Sequence, residues 1–188
     1  MLDQFEIRTD DMPSEMRTLL ADYPRDDWEA HPGFKERTRQ WMGAHQMFRR
    51  LGGIIGKETE LYLDKSQAPD EYAERLSYYG DALVRNLHGH HHWEDDNYFP
   101  ELSAADSRFD AGLEILEKDH QALDIVLDSF TRTANRTIKL IQLDEVSARE
   151  EAGTLHKTAE TIEAFLQRHL SDEEELAVPI ILHHRLRG

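Results

Sequence analysis

Residues 76–94 read LSYYGDALVRNLHGHHHWE, and their core-type positions recur in steps of three and four residues. The positions that follow this repeat are Leu76, Gly80, Leu83, Leu87, His90 and Glu94. Such spacing puts side chains on one face of an α-helix that packs against a core. A histidine and a glutamate therefore stand on the same helix face as leucines.

The same repeat occurs near the C-terminus, and two further segments carry one histidine each. The second copy of the repeat consists of Leu155, Ala159, Ile162, Leu166, His169 and Glu173. The other two segments have Trp41, His45, Phe48, Gly52 and Ile55, and Leu113, Leu116, His120, Leu123 and Leu127. Both His-x-x-x-Glu copies are followed at equal spacing by a bulky residue and proline, which are Phe99-Pro100 and Val178-Pro179. The chain thus has four amphipathic helices with polar residues in each apolar face.

These patterns predict an all-α fold, an up-down-up-down antiparallel four-helix bundle. The predicted helices span residues 35–63, 70–98, 109–140 and 147–177. Proline disfavours helix at the preceding residue, so we expect the second and fourth helices to end at Phe99-Pro100 and Val178-Pro179, with a short last helix over 180–185. Residues 1–33 form an irregular or partly helical arm in this prediction, and residues 34–188 form the bundle.

Six of these polar residues are predicted to meet in one layer. The lone histidines lie about ten residues after their helices begin, and the paired histidines about nine before theirs end, which is one level in an antiparallel bundle. The six residues are His45, His90, Glu94, His120, His169 and Glu173. Imidazole and carboxylate groups are ligands of first-row transition metals. The simplest assignment gives His45 and His90 to one ion and His120 and His169 to the other, with both glutamates spanning the pair.

A structural interpretation competes with this one. A single histidine on an apolar helix face is usually a core residue with a hydrogen-bond partner. Two buried glutamates are harder to explain in that way, because an uncompensated buried carboxylate costs several kcal/mol. The duplicated spacing therefore favours a metal site.

Other polar residues near these motifs are predicted to lie outside the ligand set. The repeat selects His90 rather than His91, which lies about 100° further around the helix. We expect the neighbouring histidines at 88, 91 and 92 to flank the site, with an extra ligand from His88 or His91 as the main alternative. Glu174 and Glu175 are predicted to belong to a solvated face.

Composition excludes several classes of protein. The chain of 188 residues has no cysteine, which rules out disulfides, thiolate zinc sites and cysteine-held iron–sulfur clusters. A net charge of −16 argues against nucleic acid or an anionic membrane as partner. No apolar run reaches the length of a membrane span and the N-terminus does not look like a signal peptide, so we expect a cytoplasmic protein. The oligomeric state does not follow from the sequence.

The motif segments resemble the hemerythrin-type cation-binding family, known as HHE domains. The segments that carry the resemblance are LHGHHHWEDDNYFPEL (87–102), FLQRHLSDEEELAVP (165–179), MGAHQMFRRL (42–51) and LEKDHQAL (116–123). The resemblance implies a four-helix bundle with a non-haem, carboxylate-bridged site for two iron ions, which binds dioxygen or a related small molecule. The six residues above match the family's ligand positions.

One position departs from that family. Its oxygen-carrying members have a second histidine four residues after the one on the third helix, where this chain has Asp124. The sequence therefore lacks a fifth histidine, which argues against reversible oxygen carriage. Asp124 is predicted to be a ligand, an acceptor for His120 or a solvated residue.

Three functions are compatible with this site. The first, which we favour, is a di-iron protein that binds or senses dioxygen, nitric oxide or peroxide, or that handles iron. The second is a di-iron oxidoreductase acting on peroxide or nitric oxide, since open coordination positions allow redox chemistry. The third is a structural zinc or manganese protein, because imidazole suits those metals too. Ferritin-like sites use Glu-x-x-His instead, and histidine dominates here.

Overall fold

The computed structural model describes residues 7–186, which contain helices, turns and irregular segments but no strand. The α-helices are α1 (Thr18–Asp22), α2 (Glu36–Leu63), α3 (Pro69–Trp93), α4 (Phe99–Ala105), α5 (Asp110–Ile141) and α6 (Glu145–His184). The four long helices are antiparallel and form a bundle, in which α2 and α5 each pack against both α3 and α6. The predicted fold class is confirmed.

Local sequence explains where the long helices begin. Pro69 lies in the first turn of α3, where its missing N–H is not needed, and Asp70 and Glu71 follow it near the positive end of the helix dipole. At the start of α6, the Asp144 side chain accepts a hydrogen bond from the backbone N–H of Val146. The links of residues 64–68 and 142–144 are short, so neighbouring helices must run in opposite directions.

Both predicted helix ends at proline are wrong. After α3, a π-helical turn spans Glu94–Tyr98 and leads directly into α4, and the Phe99 N–H donates to the Glu94 carbonyl oxygen. Pro100 lies in the first turn of α4, where proline is tolerated. α6 runs through Pro179, and the predicted separate helix at 180–185 forms its last turns. Proline has no backbone N–H, so one hydrogen bond of α6 is lost at Pro179. Burial of the apolar residues on either side of Pro179 still favours a continuous helix.

The core consists of two apolar clusters, one in each half of the bundle. The distal cluster includes Phe48, Ile55, Tyr62, Leu83, Leu87, Leu123, Leu127, Phe130 and Phe165. The arm cluster includes Met12, Leu19, Trp28, Trp41, Tyr98, Phe99, Leu116 and Leu176. α2, α3 and α5 each bury one face and leave charged residues on the other, whereas residues 176–182 of α6 are buried on all sides. Accordingly, no helix within residues 7–186 is long and apolar enough to cross a membrane.

The N-terminal arm packs onto the bundle through the arm cluster. It contains two short 3-10 turns (Ser14–Arg17 and Arg25–Asp27) and α1, which agrees with a partly helical arm over its described residues. Its residues 1–6, and residues 187–188 at the other end, lie outside the described chain. The division into an arm of residues 1–33 and a bundle of 34–188 stays a prediction.

Two residues of α5 test the core directly. Leu127 is 0% exposed and Ile125 is 60% exposed. We expect Leu127→Ala to lower the free energy of unfolding by about 2–5 kcal/mol, because the change leaves a cavity between packed helices. Ile125→Ala is the matched control and should change it by less than about 0.5 kcal/mol. Urea denaturation of both variants measures the difference, and equal effects would contradict the helix orientation described here.

Candidate metal centre

A layer of buried polar side chains separates the two apolar clusters. On α2, His45 lies between Trp41 of the arm cluster and Phe48 of the distal cluster. His120 of α5 and His169 of α6 occupy corresponding positions on their helices. The residues of this polar layer are His45, His90, His91, Glu94, His120, His169 and Glu173. All four long helices and the π-helical turn contribute to it.

Four of these residues form a first group, in which one ligand atom of each lies within 4.8 Å of the others: His45, His90, Glu94 and Glu173. The Nε2 atoms of His45 and His90 are 3.0 Å apart. His90 Nε2 lies 2.8 Å from Glu94 Oε1, and His45 Nε2 lies 3.4 Å from Glu173 Oε2. Two nitrogens and two carboxylates thus face one small space, which is the arrangement that a cation requires.

The second group consists of three histidines, His91, His120 and His169, whose ligand atoms also lie within 4.8 Å of one another. The rings of His91 and His120 are stacked, with centroids 3.9 Å apart. The His169 ring meets the His120 ring nearly edge-on at 4.9 Å. All three are buried, so no water competes freely for their nitrogens.

The two glutamates connect the groups. Glu94 Oε1 belongs to the first group, whereas Oε2 of the same carboxylate lies 3.8 Å from His120 Nε2 in the second. Glu173 Oε2 lies 3.4 Å from His45 Nε2 and 3.9 Å from His169 Nε2. Each carboxylate therefore stands between a histidine of one group and a histidine of the other, which is the position of a bridging ligand.

Acidic residues behind the histidines fix the orientation of three rings. Nδ1 of His45 lies 2.9 Å from Glu174 Oε1, and Nδ1 of His120 lies 2.8 Å from Asp95 Oδ1. Nδ1 of His169 lies 3.4 Å from Asp119 Oδ2. A carboxylate on Nδ1 keeps the proton there and leaves Nε2 free to donate its lone pair to a metal. Trp41 adds a 2.6 Å hydrogen bond from Nε1 to Glu94 Oε1.

The polar layer leaves many of its buried atoms without a hydrogen-bond partner. These atoms are Nδ1 and Nε2 of His91, Oε2 of Glu94, Nε2 of His120, Nε2 of His169 and both Oε atoms of Glu173. Buried polar groups in folded proteins are nearly always paired, and an unpaired one costs about 1–3 kcal/mol. A cation in each group would accept lone pairs from these same atoms. The residues present therefore fit a site for metal ions.

Burial keeps two histidines of the second group neutral. It lowers the pKa of His91 well below its usual value, and the neighbouring His120 and His169 act in the same direction. Burial likewise lowers the pKa of His169 to about 4. Neutral imidazole is the form that binds metal. Both rings are therefore ready to coordinate at neutral pH.

The pKa values of the two glutamates in the polar layer are shifted in opposite directions. Burial and the charge of Glu94 raise the pKa of Glu173 well above its usual value. Burial would also raise the pKa of Glu94, but His45 and His90 outweigh it and lower that pKa. Two carboxylates this close do not both ionise without a positive charge between them. A cation would supply that charge and displace the proton from Glu173.

Residues 37–181 match the model of a protein family described as the hemerythrin HHE cation binding domain. The match covers α3, α4 and α5 in full and nearly all of α2 and α6. The chain belongs to this family. Comparison with curated proteins and with solved structures gave no match. The family assignment thus rests on the bundle region and is consistent with the buried histidine and glutamate groups.

The structure brings all six predicted site residues into one layer, with His45 and His90 in the first group and His120 and His169 in the second. Their role as metal ligands stays a prediction. Asp124 belongs to neither group, and its Oδ1 lies 3.0 Å from His88 Nδ1 at a half-exposed position. These two residues interact with each other outside the ligand layer.

Two predictions about neighbouring residues are wrong. His91 is not a flanking residue but a member of the second group, only 2% exposed. Glu174 is not solvated; it is 1% exposed and contacts His45. α3 packs against both α2 and α5, so two adjacent lines of its side chains face the core. His90 faces His45 on one side, and His91 faces His120 on the other. The His-x-x-x-Asp spacing of His91 and Asp95 is the sequence signal for a second set of α3 side chains that face the core.

The adjacent residues Glu173 and Glu174 should respond oppositely to the same substitution in metal-free protein. Glu173→Leu removes a buried carboxylate that lacks hydrogen bonds, so we expect it to raise the free energy of unfolding by about 1–3 kcal/mol. Glu174→Leu leaves His45, Arg25 and Arg49 without their shared acceptor. It should lower the same quantity by about 1–3 kcal/mol. Urea denaturation in the presence of a chelator measures both, and destabilisation by Glu173→Leu would show that its carboxylate is satisfied without a cation.

Proposed function

We propose that this protein binds two iron ions in the polar layer and uses them to bind or sense dioxygen or a related small molecule such as nitric oxide or peroxide. His45 and His90 would hold one ion, and His91, His120 and His169 the other. Glu94 and Glu173 would bridge the pair. The observation that carries the proposal is the set of unpaired nitrogen and oxygen atoms buried between the two groups.

The carboxylate positions favour a pair of ions over a single ion. A single cation at the first group would leave four nitrogens of the second group, on three histidines, buried without partners. Glu94 offers one oxygen to each group, and Glu173 lies between His45 and His169. Two divalent cations would also offset the negative charge of two buried carboxylates, which a neutral layer could not do.

The histidine count supports binding of a small molecule. The sequence lacks a histidine at position 124, but His91 supplies a fifth buried imidazole from a different helix. The two groups are then unequal, with three histidines in one and two in the other. Unequal ligand sets leave an open position on one ion, and iron ions would supply coordination positions and electrons for a molecule such as dioxygen.

Aromatic walls restrict what can reach the layer. Phe48 packs against His90, Phe99 stacks on His120 and Phe165 stacks on His169, with ring centroids 5.1–5.6 Å apart. These apolar side chains exclude water, and their rings offer no hydrogen bonds to a large substrate. They suit a ligand of two or three atoms that carries little or no charge.

A second candidate function, a di-iron oxidoreductase acting on peroxide, is favoured by Tyr98. Its hydroxyl is buried without a partner, and its ring lies 5.2 Å from Trp41 beside the layer. Burial and the nearby Glu173 and Glu94 raise the pKa of Tyr98, so the hydroxyl keeps its proton. The protonated hydroxyl could donate a hydrogen bond that orients peroxide in the layer, which suits an enzyme that acts on it.

Metal content and gas binding test the proposal. We expect protein purified without added metal to contain two iron ions per chain, measured by elemental analysis. The reduced protein should then change its visible absorption on exposure to dioxygen or nitric oxide. Turnover of peroxide by the iron form, reduced in Tyr98→Phe, would favour the oxidoreductase instead. Zinc or manganese in place of iron, with no change of absorption, would contradict both functions.

His91 can be tested against a histidine on the same helix. We expect His91→Ala to lower the iron content from two ions per chain towards one, because the second group loses a third of its nitrogen ligands. His88→Ala is the control, since His88 is partly exposed and paired with Asp124 outside the layer. It should retain both ions. Equal metal content in the two variants would remove His91 from the ligand set.

A further inference from the structure

Three arginines of the N-terminal arm reach three buried acids next to the polar layer. Arg8 Nη2 lies 2.7 Å from both Asp119 Oδ2 and Asp172 Oδ2. Arg17 Nη2 donates to Asp172 Oδ1 at 2.6 Å, and Arg25 Nη1 donates to Glu174 Oε2 at 2.6 Å. These contacts link parts of the chain separated by more than a hundred residues. The arm is therefore attached to α5 and α6 by charge as well as by apolar packing.

Each of these acids lies directly beside a proposed ligand. Asp119 precedes His120 and contacts Nδ1 of His169, while Glu174 follows Glu173 and contacts Nδ1 of His45. Asp172 precedes Glu173 and takes an arginine on each of its two oxygens. The arm thus contacts the carboxylates that orient the histidines of both groups. It makes no direct contact with the unpaired atoms themselves, among the contacts of the described chain.

The arm also covers these acids. Asp119, Asp172 and Glu174 are only 1–3% exposed, and acidic side chains are seldom buried to this extent unless they are paired. The arm is anchored by Trp28, 2% exposed, and by the Met16 side chain, which lies against Gly112 of α5. Because these anchors belong to the arm cluster, lifting the arm would expose both the acids and one side of the polar layer.

We propose that the arm is a latch for the metal centre, in which Arg8, Arg17 and Arg25 act as positioning residues that hold the acids behind the ligand histidines and limit metal exchange. This inference rests on the proposed metal site. Metal then enters and leaves the layer on the side that the arm covers. Neither the family assignment nor the ligand set requires such a role for residues outside the bundle.

If the arm acts as a latch, loss of one of its arginines should speed metal release. If the arginine acts only through its charge, the same loss should slow metal release. Removing a positive charge beside a bound cation strengthens the attraction between cation and site, so a charge effect slows metal release. Releasing the arm loosens Glu174 and His45 and opens the layer to water, so a latch makes both release and uptake faster. Whether metal release becomes faster or slower therefore distinguishes the latch from the charge effect.

Glu174 offers a matched pair of variants. Its Oε2 accepts from Arg25 of the arm and its Oε1 accepts from Arg49 of α2, at 2.6 and 2.9 Å. Arg25→Gln and Arg49→Gln remove the same charge from the same carboxylate, but only the first removes a contact between the arm and the bundle. Arg25→Lys keeps the charge and serves as the conservative variant.

The experiment measures exchange of Co²⁺, whose visible absorption also reports its coordination geometry. Full-length proteins are loaded with Co²⁺, and its transfer to excess EDTA is followed by stopped flow. We expect Arg25→Gln to release Co²⁺ roughly two- to fivefold faster than the wild type, the upper part of the range for loss of one partly exposed charge pair. Uptake should accelerate by a similar factor. Arg49→Gln should release no faster than the wild type, and Arg25→Lys should lie close to it.

The outcomes separate this inference from the proposed function. A wild-type chain that takes up no Co²⁺ overturns the metal site and the latch together. Two bound Co²⁺ ions with equal release from wild type and Arg25→Gln, or with slower release from the variant, overturn the latch alone. Equal acceleration in Arg25→Gln and Arg49→Gln also overturns it, since the effect would then belong to Glu174 rather than to the arm. Unfolding of the metal-free Arg25→Gln and Arg49→Gln proteins in urea checks that both are folded.

Discussion

Burial of two carboxylates among histidines, with no solvent to stabilise them, is the constraint on which this molecule depends. A folded chain accepts such a layer only if a positive charge accompanies it, because the cost of an unpaired buried acid is several kcal/mol. The neighbouring acids show the alternative: Asp119, Asp172 and Glu174 are equally buried but each has an arginine. Among the buried acids of residues 7–186, only Glu94 and Glu173 have no arginine partner. The absence of a permanently charged partner at these two positions is what distinguishes a candidate metal site from a structural ion-pair network.

The four-helix bundle suits this constraint because it supplies rigid supports on all sides. Apart from the bond that Pro179 cannot donate, backbone groups inside the long helices are hydrogen-bonded to one another, so side chains determine the polarity of a layer. The apolar clusters above and below keep the layer at a fixed height and dry. Placement of His45, His120 and His169 at that height requires only that each replaces one apolar residue of a helix face.

The sequence predicted the helices and the level at which the histidines meet, since both follow from spacing along the chain. It did not predict that His91 also points inward, because the inward face of α3 is wider than its single line of leucines. Glu174 was missed for a different reason. Its partners Arg25 and His45 lie 149 and 129 residues away, and such contacts leave no local pattern. The helix ends at Pro100 and Pro179 were wrong because packing outweighed the local preference of proline.

The separation of the core into a distal and an arm cluster has a consequence for how the protein unfolds. Two apolar nuclei joined mainly through a polar layer resemble two foldons, each able to open without the other. Ions shared by helices from the whole bundle would join these nuclei into one cooperative unit. We therefore expect metal to alter the sharpness of the thermal transition as well as its midpoint, with a broad or two-step melt when the layer holds no cation and a single steep one when it does.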